Sequence, residues 1–321
     1  MQQYPLSEIR YGKSIGDFKI VEVYPEGRGG RSRVVRARPI DDSDRQTALK
    51  ISHTGGNQNY LFTALQKEVE ILQELNHRGV VQLRRISSGD NPYKERAGQI
   101  VGKPWFFGME CLQGGSLETL LRGLGPLSLG ESATICHQVG TALEYIHKKG
   151  LAHNNVRPNN ILFRRELRVG DRLEPVLIDF SVTAKSIKPQ LDGLLVYMSP
   201  EQLKADREPS MPDIEPKLDS SKADVWSMGI LLYRLLVGQE PFQTPTDRGK
   251  TSAVLHDNPQ SMMNRRHDLP STLDEFVIEG CLSKIPSLRV DMQDYIEVMN
   301  RYSGDWRVQR TPRKKRRLPW H

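Results

Sequence analysis

Apolar and polar positions alternate from Asp17 to Val35, DFKIVEVYPEGRGGRSRVV, on both sides of a glycine-rich turn, a pattern that predicts a β-hairpin. TALKIS, residues 47 to 52, predicts a third strand. Over residues 61 to 76, LFTALQKEVEILQELN, the period lengthens: Leu61, Leu65, Glu68, Leu72 and Leu75 fall at helical spacing, and His77, Arg78 and Gly79 stop the helix. VVQLRRI at 80 to 86 and PWFFGMECL at 104 to 112 predict two more strands around a polar loop. After Gly114 and Gly115 the character changes, because Ala133, Val139, Ala142, Leu143 and Ile146 share one face of a long helix over 128 to 149. The second half is mainly helical. It is interrupted by a loop at 206 to 219, with Pro209, Pro212 and Pro216, and by one of mixed polarity over roughly 244 to 270. No internal repeat is present. A small sheet with one helix, followed by a larger helical body, predicts an α+β chain of two lobes with a cleft between them.

At 321 residues the chain is about twice the usual domain of roughly 150, so one large two-lobed domain or two ordinary ones fit. A composition 37% hydrophobic and 26% charged buries a real core and excludes disordered and fibrous classes. No stretch approaches the roughly 18 uncharged apolar residues of a membrane span, and MQQYPLSEIR has neither the basic start nor the apolar run of a signal peptide. An intracellular, cytoplasmic protein is expected, nuclear being open if the cell is eukaryotic. Cys111, Cys136 and Cys281 are far apart and lack zinc or disulfide spacing, so they are read as reduced thiols. The formal charge of +7 sits entirely in residues 301 to 321, which hold eight Lys or Arg against Asp305. The first 300 residues balance 38 bases with 38 acids, which removes the case for a basic fold surface.

Several elements then follow one another in a fixed order: Gly27, Gly29 and Ser32 before Val34; Lys50 after Ala48; Glu68 on the helix; HNNVRPNNILF from His153; DFS at 179 to 181; and SPE at 199 to 201. DVWSMG at 224 to 229, GQEPF at 238 to 242 and CLSKIPSLR ending at Arg289 come after them. Over roughly residues 17 to 300 the chain resembles the eukaryotic-type Ser/Thr protein kinase family. The resemblance implies a bilobal protein-kinase-like fold: an N-terminal extension at 1 to 16, an antiparallel-sheet N-lobe with one helix at 17 to 112, a helical C-lobe at 113 to 304 and a basic tail at 305 to 321.

It also implies ATP and Mg²⁺ as ligands. A glycine turn alone usually means only a hairpin, but here Gly27, Gly29 and Ser32 would arch over phosphates, with Ser32 in the third position weakening the grip. A strand lysine is ordinarily solvated. By resemblance, Lys50 instead contacts the phosphates and is oriented by Glu68, while Val34, Ala48 and Met109 wall the adenine pocket and Glu110 to Leu112 form the connecting hinge. Asp179 could be an ordinary strand-end turn residue; with Asn160 it matches the family's metal ligands, hard oxygens of the kind Mg²⁺ prefers. Glu201 and Arg289 match a buried ion pair, and His153, Phe180 and Leu72 match packing residues, all structural.

The family reads His-Arg-Asp where this chain has His153, Asn154 and Asn155. Asn155 therefore replaces the general base: a carboxylate takes a proton, whereas an amide offers only a neutral carbonyl. Removal of a general base typically costs about 10² to 10⁴ in rate. Asn154 replaces the arginine that clamps a phosphorylated activation loop, Arg157 replaces a phosphate-contacting lysine, and Leu194 takes the place of a substrate-holding threonine. The pattern implies a pseudokinase that keeps ATP and Mg²⁺ but is impaired in phosphoryl transfer, acting through a protein partner as scaffold or allosteric regulator. An active or weakly active Ser/Thr kinase is the alternative, because transfer rests largely on positioning.

The end of the chain, TPRKKRRLPWH, carries five consecutive bases, Arg313, Lys314, Lys315, Arg316 and Arg317. A solvated terminus, a localisation signal, and contact with nucleic acid, an acidic partner or anionic lipid all fit this run. Trp306 and Trp320 are available for stacking or anchoring. An adaptor that works through this tail is the third functional class.

Overall fold

The computed structural model describes residues 3–24, 32–42, 44–53, 58–87, 91–180, 195–207, 220–304 and 307–308. Gly27, Gly29, Leu194, the proline loop from 208 to 219, Trp306, Trp320 and the Arg313–Arg317 run lie outside the described residues. The chain divides into two compact units. The first runs to Leu112 and includes the chain again from Asp179; the second holds Gln113–Ile178 and the chain after residue 192.

The first unit is built on one antiparallel sheet. Its strands are β1 (Ser14–Ile15), β2 (Phe18–Val23), β3 (Ser32–Pro39) and β4 (Thr47–Ser52), then, after helix α1 (Gln58–Gln73), β5 (Leu83–Arg84), β6 (Lys94–Arg96) and β7 (Trp105–Glu110). The order is β1-β2-β3-β4-β7-β5, with β6 also paired to β7. Side chains alternate between the two faces of such a sheet. Ile15, Ile20, Val35, Ala37, Leu49, Ile51 and Phe106 form one core face, and Tyr4, Leu6 and Ile9 pack into the same cluster. The segment read as an N-terminal extension is thus part of the core. Tyr4 bridges Ile100 and donates from its hydroxyl to the Ser14 carbonyl at 2.7 Å. Leu65, Val69 and Leu72 are the buried stripe of α1, and Leu75, just past its end, is also buried. Phe62 extends that stripe by one turn, and its ring carries the Arg96 guanidinium, which also lies 4.5 Å from the centre of the Trp105 ring.

Two elements differ from the sequence pattern. The strand expected over 80 to 86 shrinks to Leu83–Arg84, because the Ile86 N–H leaves the ladder for the Pro92 carbonyl at 2.7 Å. The polar loop after it contains the short edge strand β6.

The second unit comprises α2 (Leu117–Leu124), α3 (Leu129–His147), the hairpin β8 (Ile161–Phe163) and β9 (Pro175–Leu177), α4 (Pro200–Arg207), α5 (Ser220–Val237), α6 (Asp247–His256), α7 (Ser271–Glu275) running into a π-helical turn at Phe276–Cys281, and α8 (Met292–Tyr302). Ser116 caps α2, and Ser128 with Glu131 forms a capping box on α3, satisfying amide groups that a helix start leaves unpaired. Helix α5 is buried on nearly every side, with Trp226 and Tyr233 in its centre. Gly114 sits where a Cβ would run into the Arg165 carbonyl and Phe163, which lets the chain pass close beside β8. Helix α6 falls in the segment read as a loop: Thr246 caps it, but its sequence has almost no apolar stripe.

Candidate functional site

The register of the sheet gathers the residues of the expected nucleotide site in the first unit. Val34 pairs with Lys50, Ala48 with Met109 and Ser32 with Ser52, so Ser32, Val34, Ala48, Lys50 and Met109 share one face, opposite the Leu49–Ile51 core face. Glu68 lies within the buried stripe of α1. The Lys50 ammonium donates to both Glu68 oxygens, at 2.8 and 2.6 Å, and to Asp179 Oδ1 at 2.5 Å. The Phe180 backbone N–H also reaches the Glu68 carboxylate, and Phe180 itself is buried.

Burial works against the Lys50 charge, yet Asp179 and Glu68 together hold the ammonium above its ordinary value. Burial likewise lifts Glu68 to about 7, against the pull of Lys50 and with the push of Asp179. One cation therefore faces two carboxylates, and the trio is one negative charge in excess when both are ionised. Asp179 has φ of 65°, a left-handed backbone that turns the chain sharply at this point. Glu110 is fixed by a reciprocal pair with Gln82: its N–H donates to the Gln82 carbonyl at 2.8 Å, and its carboxylate accepts the Gln82 N–H at 3.0 Å. Leu112 is nearly buried, and the Cys111 sulfur lies 3.9 Å from the Tyr24 hydroxyl.

In the second unit the segment from His153 to Asn160 is fixed from several sides. The fully buried carboxylate of Asp224 on α5 accepts the backbone N–H of His153 at 2.9 Å and of Asn154 at 2.8 Å, together with His147 Nε2 at 2.8 Å. His153 Nε2 lies 3.1 Å from the Ile178 carbonyl, and its Nδ1 accepts the Asn155 N–H at 3.3 Å; these roles require the neutral tautomer protonated on Nε2. Asn154 has φ of 59°, a conformation asparagine tolerates better than most residues. Asn160 Nδ2 donates to the Asn155 carbonyl at 2.8 Å, and its Oδ1 takes no hydrogen bond among the described residues. A hard oxygen is thereby left over, which fits a cation ligand. Arg157 is half-buried and precedes the single turn Pro158–Asn160.

Elsewhere in this unit, the Arg289 side chain is fully buried and makes paired bonds of 2.6 and 2.7 Å with Glu201, adding the Ser283 and Lys222 carbonyls. This is the bidentate geometry that only a guanidinium supplies. Sequence reading did not single out Asp224, His147 or Gln202. Asp224 carried a signal, an acid opening the otherwise apolar run DVWSMGILLYRLL, whereas His147 and Gln202 carried none.

A profile of the protein kinase domain matches residues 23–299. The human serine/threonine-protein kinase ULK1 is 26% identical over 303 residues, covering 86% of this chain and 26% of ULK1. Serine/threonine-protein kinase RAD53 of Saccharomyces cerevisiae is 30% identical over 189 residues, covering 56% of this chain and 21% of RAD53. The chain thus spans about a quarter or less of the length of these two relatives. A crystal structure of Rad53 residues 1-466 in complex with AMP-PNP superposes with a TM-score of 0.65 at 24% identity, covering 87% of this chain and 64% of that one. It shares the fold, a curled antiparallel sheet with a helix in one lobe and a helical second lobe. With the profile spanning most of its length, the chain belongs to the protein kinase domain family, of the eukaryotic Ser/Thr type.

Proposed function

We propose that the chain binds ATP with Mg²⁺, is impaired in phosphoryl transfer, and acts on a protein partner as scaffold or allosteric regulator. The observation that carries this reading is Asn155, an amide at the position of the general base, in a chain that keeps Lys50 bonded to Glu68 and Asp179. Lys50 supplies a desolvated ammonium for phosphate oxygens, and a phosphate competes with Asp179 for it. Asp179 and Asn160 each offer a hard oxygen, and the excess negative charge around Lys50 favours a divalent cation. When bound, Mg²⁺ would neutralise charge on the phosphates. Asn155 can accept a hydrogen bond from a hydroxyl and so orient it, but it cannot take up the proton. The complex with AMP-PNP named for the Rad53 structure supports nucleotide binding on this fold.

The test combines a thermal-shift titration with ATP, with and without Mg²⁺, and an assay of γ-phosphate transfer. Binding at a hundredfold excess over Kd adds about 2.7 kcal/mol of stability, a visible shift, and Asp179→Asn should remove its Mg²⁺-dependent part. Asn155→Asp should raise transfer by roughly 10² to 10⁴. A wild-type chain that already transfers phosphate at about 1 to 100 per second, and gains nothing from Asn155→Asp, would be an active kinase instead.

A further inference from the structure

Asn154 is held on its other side by a residue that the family pattern does not assign. Gln202, in the first turn of α4 and 4% exposed, donates from Nε2 to Asn154 Oδ1 at 3.3 Å. The same amide accepts the Ser199 N–H at 2.9 Å and the Ser199 hydroxyl at 3.3 Å, while Ser199 itself is fully buried. Asn154 passes the link on, its N–H donating to Asp224 Oδ1 at 2.8 Å. The loop bearing Asn155 is therefore tied to α5 by a carboxylate and to the start of α4 by two neutral amides.

We infer that Gln202 is a positioning residue: with Asn154 it forms an uncharged latch between the Asn155 loop and the first turn of α4. A latch of neutral amides behaves differently from an ionic clamp. It needs no phosphate on any side chain, and screening does not weaken it, since the bond is local, part-buried and without net charge. It is still costly to break, because the Gln202 amide, 4% exposed, would lose a partner that water does not readily replace. The latch fixes the start of α4 without a charge switch. The meaning of a fixed Asn155 rests on the phosphoryl-transfer reading above. The latch itself is read by hydrogen exchange and the nucleotide site by the ATP titration, so either can fail alone.

Hydrogen exchange followed by mass spectrometry on the full chain tests it, with peptides covering residues 152 to 160 and 199 to 204. In the wild type, protection of both segments should hold between about 0.1 M and about 1 M salt, although the screening length falls from about 10 Å to about 3 Å. Gln202→Leu removes the bond to Asn154 together with the two that Ser199 gives to Gln202, so exchange should rise roughly tenfold in residues 152 to 160, the effect expected for one hydrogen bond, and by more than that in residues 199 to 204. Asn154→Gly removes the same bond from the other side without strain, since glycine is at ease at positive φ, and it should give a similar rise in residues 152 to 160 should Gln202→Leu fail to fold.

The double variant discriminates coupling from two separate structural losses. In residues 152 to 160 a shared bond gives roughly the tenfold rise of either single variant; independent effects give their product, roughly a hundredfold. A multiplicative result, a rise confined to residues 199 to 204 in Gln202→Leu, or loss of wild-type protection at high salt would each overturn the latch.

Discussion

Glu68 is a residue whose charge the fold controls. Its carboxyl ordinarily titrates near 4.5 and is lifted here to about 7, so the folded chain holds its proton more firmly than the unfolded one. The stability this contributes is fully present below about 4.5 and is lost as the pH rises through about 7. Thermal midpoints of wild type and Glu68→Gln should accordingly diverge across that window, the wild type falling relative to the variant as the pH rises. Parallel curves would show that Glu68 ionises at its ordinary value. Lys50, Glu68, Asn155, Asn160 and Asp179 could be picked out in the sequence because each stands in a motif at fixed spacing. Asp224 and Gln202 were not legible in their roles. A buried polar network exists only once distant stretches meet, and no local period announces it.

At the scale of elements, α1 is the part that must be placed correctly, since it carries Glu68 to Lys50. Its C-terminal half is anchored by Leu65, Val69 and Leu72, but its start leans on the stack of Phe62, Arg96 and Trp105. A cation between two rings contributes about 0.5 to 1 kcal/mol per contact at exposed sites. Arg96→Ala should therefore speed hydrogen exchange in the first turns of α1 severalfold, whereas Arg96→Lys should restore part of the protection. Equal exchange in all three proteins would show that the stack does not hold the helix.

The pattern of apolar positions located α1 and α3 to within a few residues, because both have a clear stripe. It missed β6, whose sequence Lys-Glu-Arg has no apolar alternation and which exists through its ladder with β7. Charged residues on a short edge strand also guard it against pairing with other chains. Helix α6 was missed for a related reason: its cap, Thr246, is local, but its packing is decided by neighbours far away in sequence.

Across the molecule, the two ends of the chain differ sharply. Residues read as an extension contribute Tyr4, Leu6 and Ile9 to the core of the first unit, so Ile9→Ala should cost about 2 to 5 kcal/mol in a denaturant titration. A loss below about 0.5 kcal/mol would mean that the segment merely lies on the surface. At the other end the charge is concentrated in Arg313 to Arg317, and the first 300 residues are neutral overall. If this run binds a single-stranded oligonucleotide, deleting residues 311 to 321 should flatten the dependence of log affinity on log salt by about 3 to 4 units. An unchanged slope would assign the contact elsewhere.

The single carboxylate of Asp224 has a consequence for how the second unit fails. The end of α3, the loop at His153 and Asn154, and α5 all share it, so none of the three can open alone without taking a hydrogen bond from a buried carboxylate. Heat or a protease should therefore find no partly loosened loop to exploit: the Asn155 segment is lost together with the central helix, in one cooperative step.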